Sequence, residues 1–422
     1  MKQMCVCVIL SLFTFSLTAQ SAAEEVLTWQ DCVREALKHH PDVISAKEQV
    51  RQAEADRTIT KSVVLPQVTS EVSGRRSETE TQPEQESYAY RISGNQLLFD
   101  GFKTRSDLKA ATQTMLAQEY DYAVVSSNIR LDLRTAFASL LRAQELISLT
   151  EEIAARRRQN VDLIQLRYEA GREHRGALLT AQADLAQAAF EVARAKRNLL
   201  VAQRELSKGL GRKRLDPMAV AGTFDINDLH GERPGFESLA DATPFLKELA
   251  ARKESARWGV KSARAAFFPQ VYLNASFGET ATDWPPEDDE WSAGLTLSLP
   301  IFEGGSRVAR VSKSKSQLRQ LEADEQSGRD SVVLTLEKTW KALRDAADFV
   351  SVQKKFLDAA QERAKIASAQ YSTGLVDFDD WIIIENNLVT AKKAYLDAQA
   401  DLLIAEANWY QAKGGTLEDV QK

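Results

Sequence analysis

Two short turns hold the most chemically suggestive residues in this 422-residue chain. "GREHRG", from Gly171 to Gly176, offers Arg172, His174 and Arg175, while "GLVDFDD", from Gly374 to Asp380, offers Asp377, Asp379 and Asp380. Repeated around a symmetry axis, such carboxylates form a ring that favours cations in a pore. Acids are also preferred at helix N-termini, where they cap free amides and meet the positive end of the dipole. Asp377 begins a long helical tract and fits the capping role.

Other reactive types do not converge. His39, His40, His174 and His230 show no zinc spacing, and the histidine pair before Pro41 reads as the end of a helical turn. "GLGRKR", Gly209 to Arg214, lacks the third glycine and the preceding strand of a nucleotide loop, so it reads as a helix stop. Arg156 to Arg158 reads as a solvated or intersubunit helix face. With no acid, base and nucleophile set in view, the expectation is a non-enzymatic chain with no catalytic residue, metal or cofactor.

The elements that position these turns are duplicated. "LPQV" at Leu65 returns as "FPQV" at Phe268, a shift of 203 residues, and the same shift carries Pro41 to Pro244, Tyr168 to Tyr371, Gly171 to Gly374 and Gly211 to Gly414. Trp381, Ile384, Leu388, Ala391, Tyr395, Ala398, Leu402, Ala405 and Trp409 form a coiled-coil seam. Shifted back by 203, the seam runs from Leu178 to Leu206, again apolar and again alternating large with small. All 10 prolines lie outside the long helical tracts. From about Thr104 to Tyr168 the first long helix would span ~90 to 100 Å, too long for a compact globule.

Each half also carries two strand candidates around an acidic loop: Gln67 to Gly74 with Tyr88 to Leu98, and Gln270 to Gly278 with Trp291 to Leu299. Tyr88, Tyr90 and Ile92 share one face; so do Val271, Leu273 and Phe277, and Trp291, Leu295 and Leu297, with polar residues between. Alternation over about ten residues with terminal aromatics is the signature of outer-membrane barrel strands, so these residues are expected to face lipid. Four strands are too few to close a barrel, so strands must be pooled between copies. The acidic loops "SETETQPEQES" and "TATDWPPEDDE" are expected outside the hydrocarbon.

Residues 1–23 have a cation, a short apolar run and small residues before Glu24, the pattern of a secretory signal peptide. The remaining organisation reads as a first repeat over 24–214, a linker over 215–234, and a second repeat with a C-terminal tail over 235–422. Cys32 would be the only mature thiol, and no cysteine follows the cleavage region, so no lipid anchor is expected. The acidic balance, a formal charge of −6, argues against nucleic acid.

The "LPQV" and "FPQV" joints, the "LLFDGFKTR" and "PIFEGGSR" joints and the "RYEAG" and "QYSTG" tips together resemble the TolC-like outer-membrane efflux family, over nearly all of the mature chain. The fold class is therefore mainly α with a small transmembrane β part. The resemblance implies a homotrimer whose twelve-stranded barrel in the outer membrane continues into an α-helical barrel in the periplasm. It implies a periplasmic adaptor and an inner-membrane transporter as partners, with efflux or type I secretion as the task. Tyr168, Gly171, Tyr371 and Gly374 would lie at tips where the adaptor docks. Tyr371, Arg172, His174, Arg175, Asp377, Asp379 and Asp380 would lie at the periplasmic constriction. The family's aspartate six residues after the tip glycine is kept as Asp380 but replaced by Ala177 in the first half, and its basic residue two positions after the second tip glycine is Val376 here. Closing contacts are accordingly expected to use different pairs. The alternative is a periplasmic adaptor protein, which would show one helical hairpin rather than two.

Overall fold

The computed structural model describes residues 25–79, 82–214, 217–224 and 233–420. The expected signal segment, 1–23, lies outside the described residues. The chain begins with β1 (Glu25–Leu27), α1 (Trp29–His39) and α2 (Pro41–Ser62). A hairpin of β2 (Gln67–Thr79) and β3 (Gln82–Phe99) leads to two long helices, α3 (Lys103–Glu169) and α4 (Arg175–Gly209). After β4 (Met218–Val220) the order returns as α5 (Phe236–Ala242), α6 (Pro244–Ala265), β5 (Gln270–Ala281), β6 (Asp288–Ser298), α7 (Ser306–Thr373) and α8 (Phe378–Ala412). Pro41 and Pro244, Gln67 and Gln270, Lys103 and Ser306, and Arg175 and Phe378 begin equivalent elements, each pair 203 residues apart.

Local chemistry sets these boundaries. Pro41 and Pro244 each open a 22-residue helix, because a proline at the first helical position forfeits no internal hydrogen bond. His40 caps α2: its Nδ1 accepts the Asp42 amide proton at 3.2 Å, which gives the histidine pair a structural role. The glycine of "GLGRKR" ends α4 with a φ of 78°. At the strand-to-helix joint before α3, the Asp100 carboxylate accepts from the Thr104 amide at 2.7 Å and from its hydroxyl at 2.5 Å. Free of interior proline, α3 and α7 run for 67 and 68 residues, about 100 Å each at 1.5 Å per residue.

The helices lie side by side in one layer. The helix α3 packs against α2 and α4 on one side and against α6 and α8 on the other, and α7 packs against α6 and α8. The sheet repeats that sequence, with order β2-β3-β5-β6 and every neighbour antiparallel. Buried residues therefore gather in separate clusters instead of one core. The largest joins α1, α3, α4 and β4 around Val33, Leu133, Phe137 and Leu206. A second lies between α5, α6, α7 and α8 around Leu336 and Trp409, and a third lies at the hairpin tips. The small seam residues Ala181, Ala188, Ala195 and Ala202 are all buried, allowing close backbone approach along α4. Cys32 sits in the largest cluster with no exposure, and burial pushes its thiol up to about 12.

The expected linker carries local structure, and one other expectation is corrected. The described part of the segment expected as a linker contains β4, which pairs in parallel with β1 and buries Met218 and Val220; residues 215, 216 and 225–232 lie outside the described residues. The first acidic loop is mostly strand, since β2 continues to Thr79 and β3 already begins at Gln82. Arg76 pairs with Glu84 and lies 3.7 Å from Glu86 across the hairpin, so acids that suggested a loop are compensated within a ladder.

Candidate functional site

The register brings the expected lipid-facing residues onto one side of the sheet. Ile92 lies opposite Phe277 and Phe277 opposite Trp291, while Tyr90 lies opposite Val72. Leu273 lies opposite Leu295, and Val271 opposite both Leu297 and Phe99. Residues directly opposite each other in a ladder share a face, so this side is largely apolar, interrupted by Ser70 opposite Ile92, Gln96 opposite Leu273 and Glu279 opposite Tyr90. It is uncovered: Trp291 is 75%, Leu295 69% and Leu297 67% exposed. Tyr88 lies farther out on the same side, edge-on to Trp284 at 6.0 Å and against Gly74.

The other side is a polar ladder. Asn95 donates to Asn274 at 2.8 Å and Asn274 donates to Thr296 at 2.9 Å. The Ser276 and Ser292 hydroxyls meet at 2.8 Å, and Arg91 pairs with Glu290 at 3.0 Å. These side chains satisfy one another across three strands and leave the ladder facing water.

At the far end of the long helices, each turn closes with a glycine in the left-handed region, Gly171 at φ 68° and Gly374 at φ 82°. The Arg172 amide reaches back to the Arg167 carbonyl at 2.8 Å, and the Leu375 amide to the Gln370 carbonyl at 2.9 Å. These are paired helix stops in which the turn amides satisfy carbonyls of the last helical turn. The next helices are capped by side chains: His174 Nδ1 accepts from the Ala177 amide at 3.1 Å, and Asp377 Oδ1 from the Asp380 amide at 2.9 Å.

Tyr371, expected at a hairpin tip and at the constriction, packs inward at its turn. It has no exposure and stacks on Trp381 with ring centroids 4.3 Å apart and planes 2° from parallel. Its hydroxyl donates to Glu173 Oε2 at 2.9 Å, and the Arg167 guanidinium lies 4.5 Å from its ring centroid while donating to its carbonyl at 2.6 Å. Burial first, and then the Glu173 carboxylate, raise its pKa, so the hydroxyl is held as a donor. Ala177, where the first half departs from the family's aspartate, is also fully buried in this cluster, and Val376 packs against it. A carboxylate at Ala177 would be stranded without water.

Arg172, Arg175, Asp379 and Asp380 are exposed, as are Gly171, Gly374 and, less fully, Tyr168. Among the described residues of one chain, no ion pair joins Arg172 or Arg175 to Asp377, Asp379 or Asp380. Of the basic run higher on α3, expected as a solvated or intersubunit face, Arg158 is exposed, whereas Arg156 and Arg157 are engaged within the chain. Arg156 makes a bidentate pair with Glu385 at 2.6 and 2.7 Å, and Glu385 is 1% exposed. Arg157 is buried and donates to Asn386. Glu385 also accepts from Ser368, which lies 3.4 Å from the Trp381 indole nitrogen. Glu173, Arg167, Trp381 and Glu385 thus complete a polar and aromatic seam between the two helical hairpins; in the sequence their only signal was Trp381 in the coiled-coil pattern.

Comparison with known proteins gives one consistent answer. The family model described as outer membrane efflux protein matches residues 32–212 and 237–415, once in each half. The chain is 24% identical to the outer membrane efflux protein BepC of Brucella suis biovar 1 (strain 1330), covering 96% of this chain and 88% of that one. It is 23% identical to the alkaline protease secretion protein AprF of Pseudomonas aeruginosa, covering 88% of this chain and 81% of that one. The open-state crystal structure of the MtrE outer membrane channel of Neisseria gonorrhoeae superposes with a TM-score of 0.82 at 20% identity, over 92% of this chain and 89% of that one.

Proposed function

The chain belongs to the outer membrane efflux protein family, and from that premise we propose that three copies assemble into a passive duct whose sheets close one barrel and whose helices enclose one tunnel. The protein is an outer-membrane channel for efflux or secretion. The observation that carries the threefold reading is the sheet itself. One face is largely apolar, the other is a hydrogen-bonded polar ladder, and both edge strands, β2 and β6, have an open side. An open edge is not tolerated in lipid. Neighbouring strands alternate in direction, so β6 of one copy meets β2 of the next antiparallel, and three four-stranded sheets give a twelve-stranded ring of the even number such barrels use. The single helical layer supports the same reading, because a layer one helix thick has two faces to assign, one to the lumen and one to the periplasm.

The tips form the mouth of the duct on its periplasmic side. Tyr371, Trp381 and Glu173 hold the α3/α4 turn against α7 and α8. Buried Asn160 Nδ2 and Arg167 Nε have no hydrogen-bond partner among the described residues, while Arg157 Nη1 and Asp184 Oδ2 make only an ion pair at 3.6 Å. Imperfect satisfaction lowers the cost of parting the seam. The exposed turn residues Tyr168, Gly171, Arg172, Arg175 and Gly374 offer a surface to a periplasmic adaptor. An inner-membrane transporter then selects the cargo and supplies the energy, while the duct itself performs no catalytic step. Analytical ultracentrifugation of the full chain in detergent tests the architecture. Three chains per particle are expected, and a stable folded monomer would overturn it.

A further inference from the structure

Where the sheet meets the helices, charge is one-sided. Arg57 and Lys61 close α2, Arg264 lies near the end of α6, and Arg310, Lys313 and Lys315 lie in the first turns of α7. All six are exposed in the single chain; α2 and α7 are the edge helices of the layer, and Lys313 and Lys315 point to nearly opposite sides of α7. Of the acids at this level, Asp107 pairs with Lys103 at 2.6 Å, Glu303 with Arg307 at 2.9 Å and buried Asp100 bonds Thr104, which leaves exposed Asp56, beside Arg57, as the acid outnumbered by cations. No acid occurs from residue 57 to 66 or from 257 to 269. Arg57 donates to the Thr112 hydroxyl at 3.2 Å, which leaves its charge uncompensated, and the other five have no ion-pair partner among the described residues. Between these cations and the strands, the joints expose hydrocarbon: Leu65 at 52%, Phe268 at 54%, Phe302 at 87% and Ile301 at 92%. At the opposite end of the sheet the sign reverses, with Glu279, Asp288, Asp289 and Glu290 on β5 and β6.

We propose that this basic collar binds the anionic headgroups of phospholipids in the membrane leaflet on the helix side, fixing the depth and tilt of the channel. The inference rests on the reading that the apolar sheet face lies in a bilayer. An apolar and aromatic band with cations just beyond it is the order of a membrane interface, acyl chains first and headgroups next. Lys313 is seven residues into α7, about 10 Å from its start, and Lys and Arg stems reach back along apolar surface while their charged ends stay in water. Each cation at an anionic membrane surface strengthens binding, and salt weakens it. The collar is continuous with the apolar band of the sheet, so the molecules that meet both are lipids.

The test uses the full-length protein in mixed micelles with fluorescent phosphatidylglycerol, against the matching phosphatidylcholine. The variant Arg310→Gln/Lys313→Gln/Lys315→Gln is compared with Lys338→Gln/Lys355→Gln/Arg363→Gln, three exposed cations farther along the same helix. Wild type and the distal triple are expected to prefer phosphatidylglycerol at low salt. The collar triple should lose about tenfold or more of that binding while keeping its oligomeric mass and bilayer conductance. Equal binding of both lipids by wild type, or unchanged phosphatidylglycerol binding by the collar triple, overturns the proposal. So does a shifted reversal potential with lipid binding intact, which would assign these cations to the water-filled interior. A protein that conducts as a trimer without lipid preference sinks only the collar, whereas one that neither inserts nor assembles sinks the channel reading as well.

Discussion

The Tyr371 hydroxyl donates to the Glu173 carboxylate at 2.9 Å across 198 residues of chain. One partner closes the last turn of α7, and the other sits in the turn between α3 and α4, so the bond joins the two halves of the duplication at their shared tip. The Trp381 stack holds the phenol in line with its acceptor, and the Arg167 guanidinium lies 4.5 Å from the ring centroid. A tie between separate hairpins can be lost without unfolding either one.

Tyr371→Phe keeps the stack and removes only the donor. The Glu173 side chain, 10% exposed, then loses a hydrogen bond to a charged group, worth about 1.5–3 kcal/mol. Loosened tips and a larger mean conductance in planar bilayers are the expected result. Conductance equal to wild type would show that the tie does not restrain the mouth.

Gly414→Ala and Gly374→Ala separate backbone conformation from contact. Both glycines have positive φ, 78° and 82°, so either alanine carries a left-handed penalty, about 1–2 kcal/mol. A Cβ at Gly374 would meet nothing within 4 Å, whereas at Gly414 it would lie 2.2 Å from Cδ of Pro244. Gly414→Ala should therefore lose a further 1–3 kcal/mol or so by overpacking. Thermal unfolding in detergent should rank Gly414→Ala well below Gly374→Ala. Matching midpoints would mean that the helix joint at Pro244 yields without cost.

Alkaline stability follows from Tyr122 and Tyr371, whose hydroxyls are raised from an ordinary 10.0, chiefly by burial and then by Glu418 and Glu173. The folded state binds these protons more tightly than the unfolded chain. Their contribution is therefore complete below about pH 10 and falls as pH rises beyond it. Denaturant titrations should show no tyrosine-linked loss between pH 6 and 9 or so, then a decline that Tyr122→Phe together with Tyr371→Phe makes shallower. A decline of unchanged slope in the double variant would assign it to other groups.

The fold was legible because the duplication repeats its punctuation. Pro41 with Pro244 and Gly211 with Gly414 are fixed by local backbone needs, and the structure brings them together: a Cβ on Gly211 would strike the His39 carbonyl beside Pro41, as one on Gly414 would strike Pro244. The apolar side of the sheet was legible because a period of two survives any register that preserves the face. The seam at the tips was not. Tyr371 before a tip glycine looks the same whether it packs inward or faces a partner, and only the approach of Glu173 and Trp381 decides. Arg156 read as a surface charge because its partner, Glu385, is 229 residues away. The acidic hairpin read as a loop because the compensating Arg76 acts across the ladder.

Asp377 and Asp380 offer the sharpest division between a helix cap and a pore charge. The Asp377 carboxylate is occupied, accepting the Asp380 amide proton at 2.9 Å, and asparagine caps a helix about as well as aspartate. Asp377→Asn should accordingly leave stability nearly unchanged. Asp380 and Asp379 are exposed in the same first turn, with no ion-pair partner among the described residues, and three copies would bring both carboxylates around one axis. Rings of acids favour cations over anions in a pore. Under a salt gradient across a planar bilayer, Asp380→Asn should move the reversal potential toward zero and lower cation conductance, with a smaller change for Asp377→Asn. Arg172 and Arg175 on the facing turn set the size of the effect, because they oppose the acidic field; Arg172→Gln together with Arg175→Gln should raise cation selectivity in the wild-type background. If Asp380→Asn matches wild type in both reversal potential and conductance, the carboxylate serves only the α8 N-terminus and the selectivity of the mouth lies elsewhere.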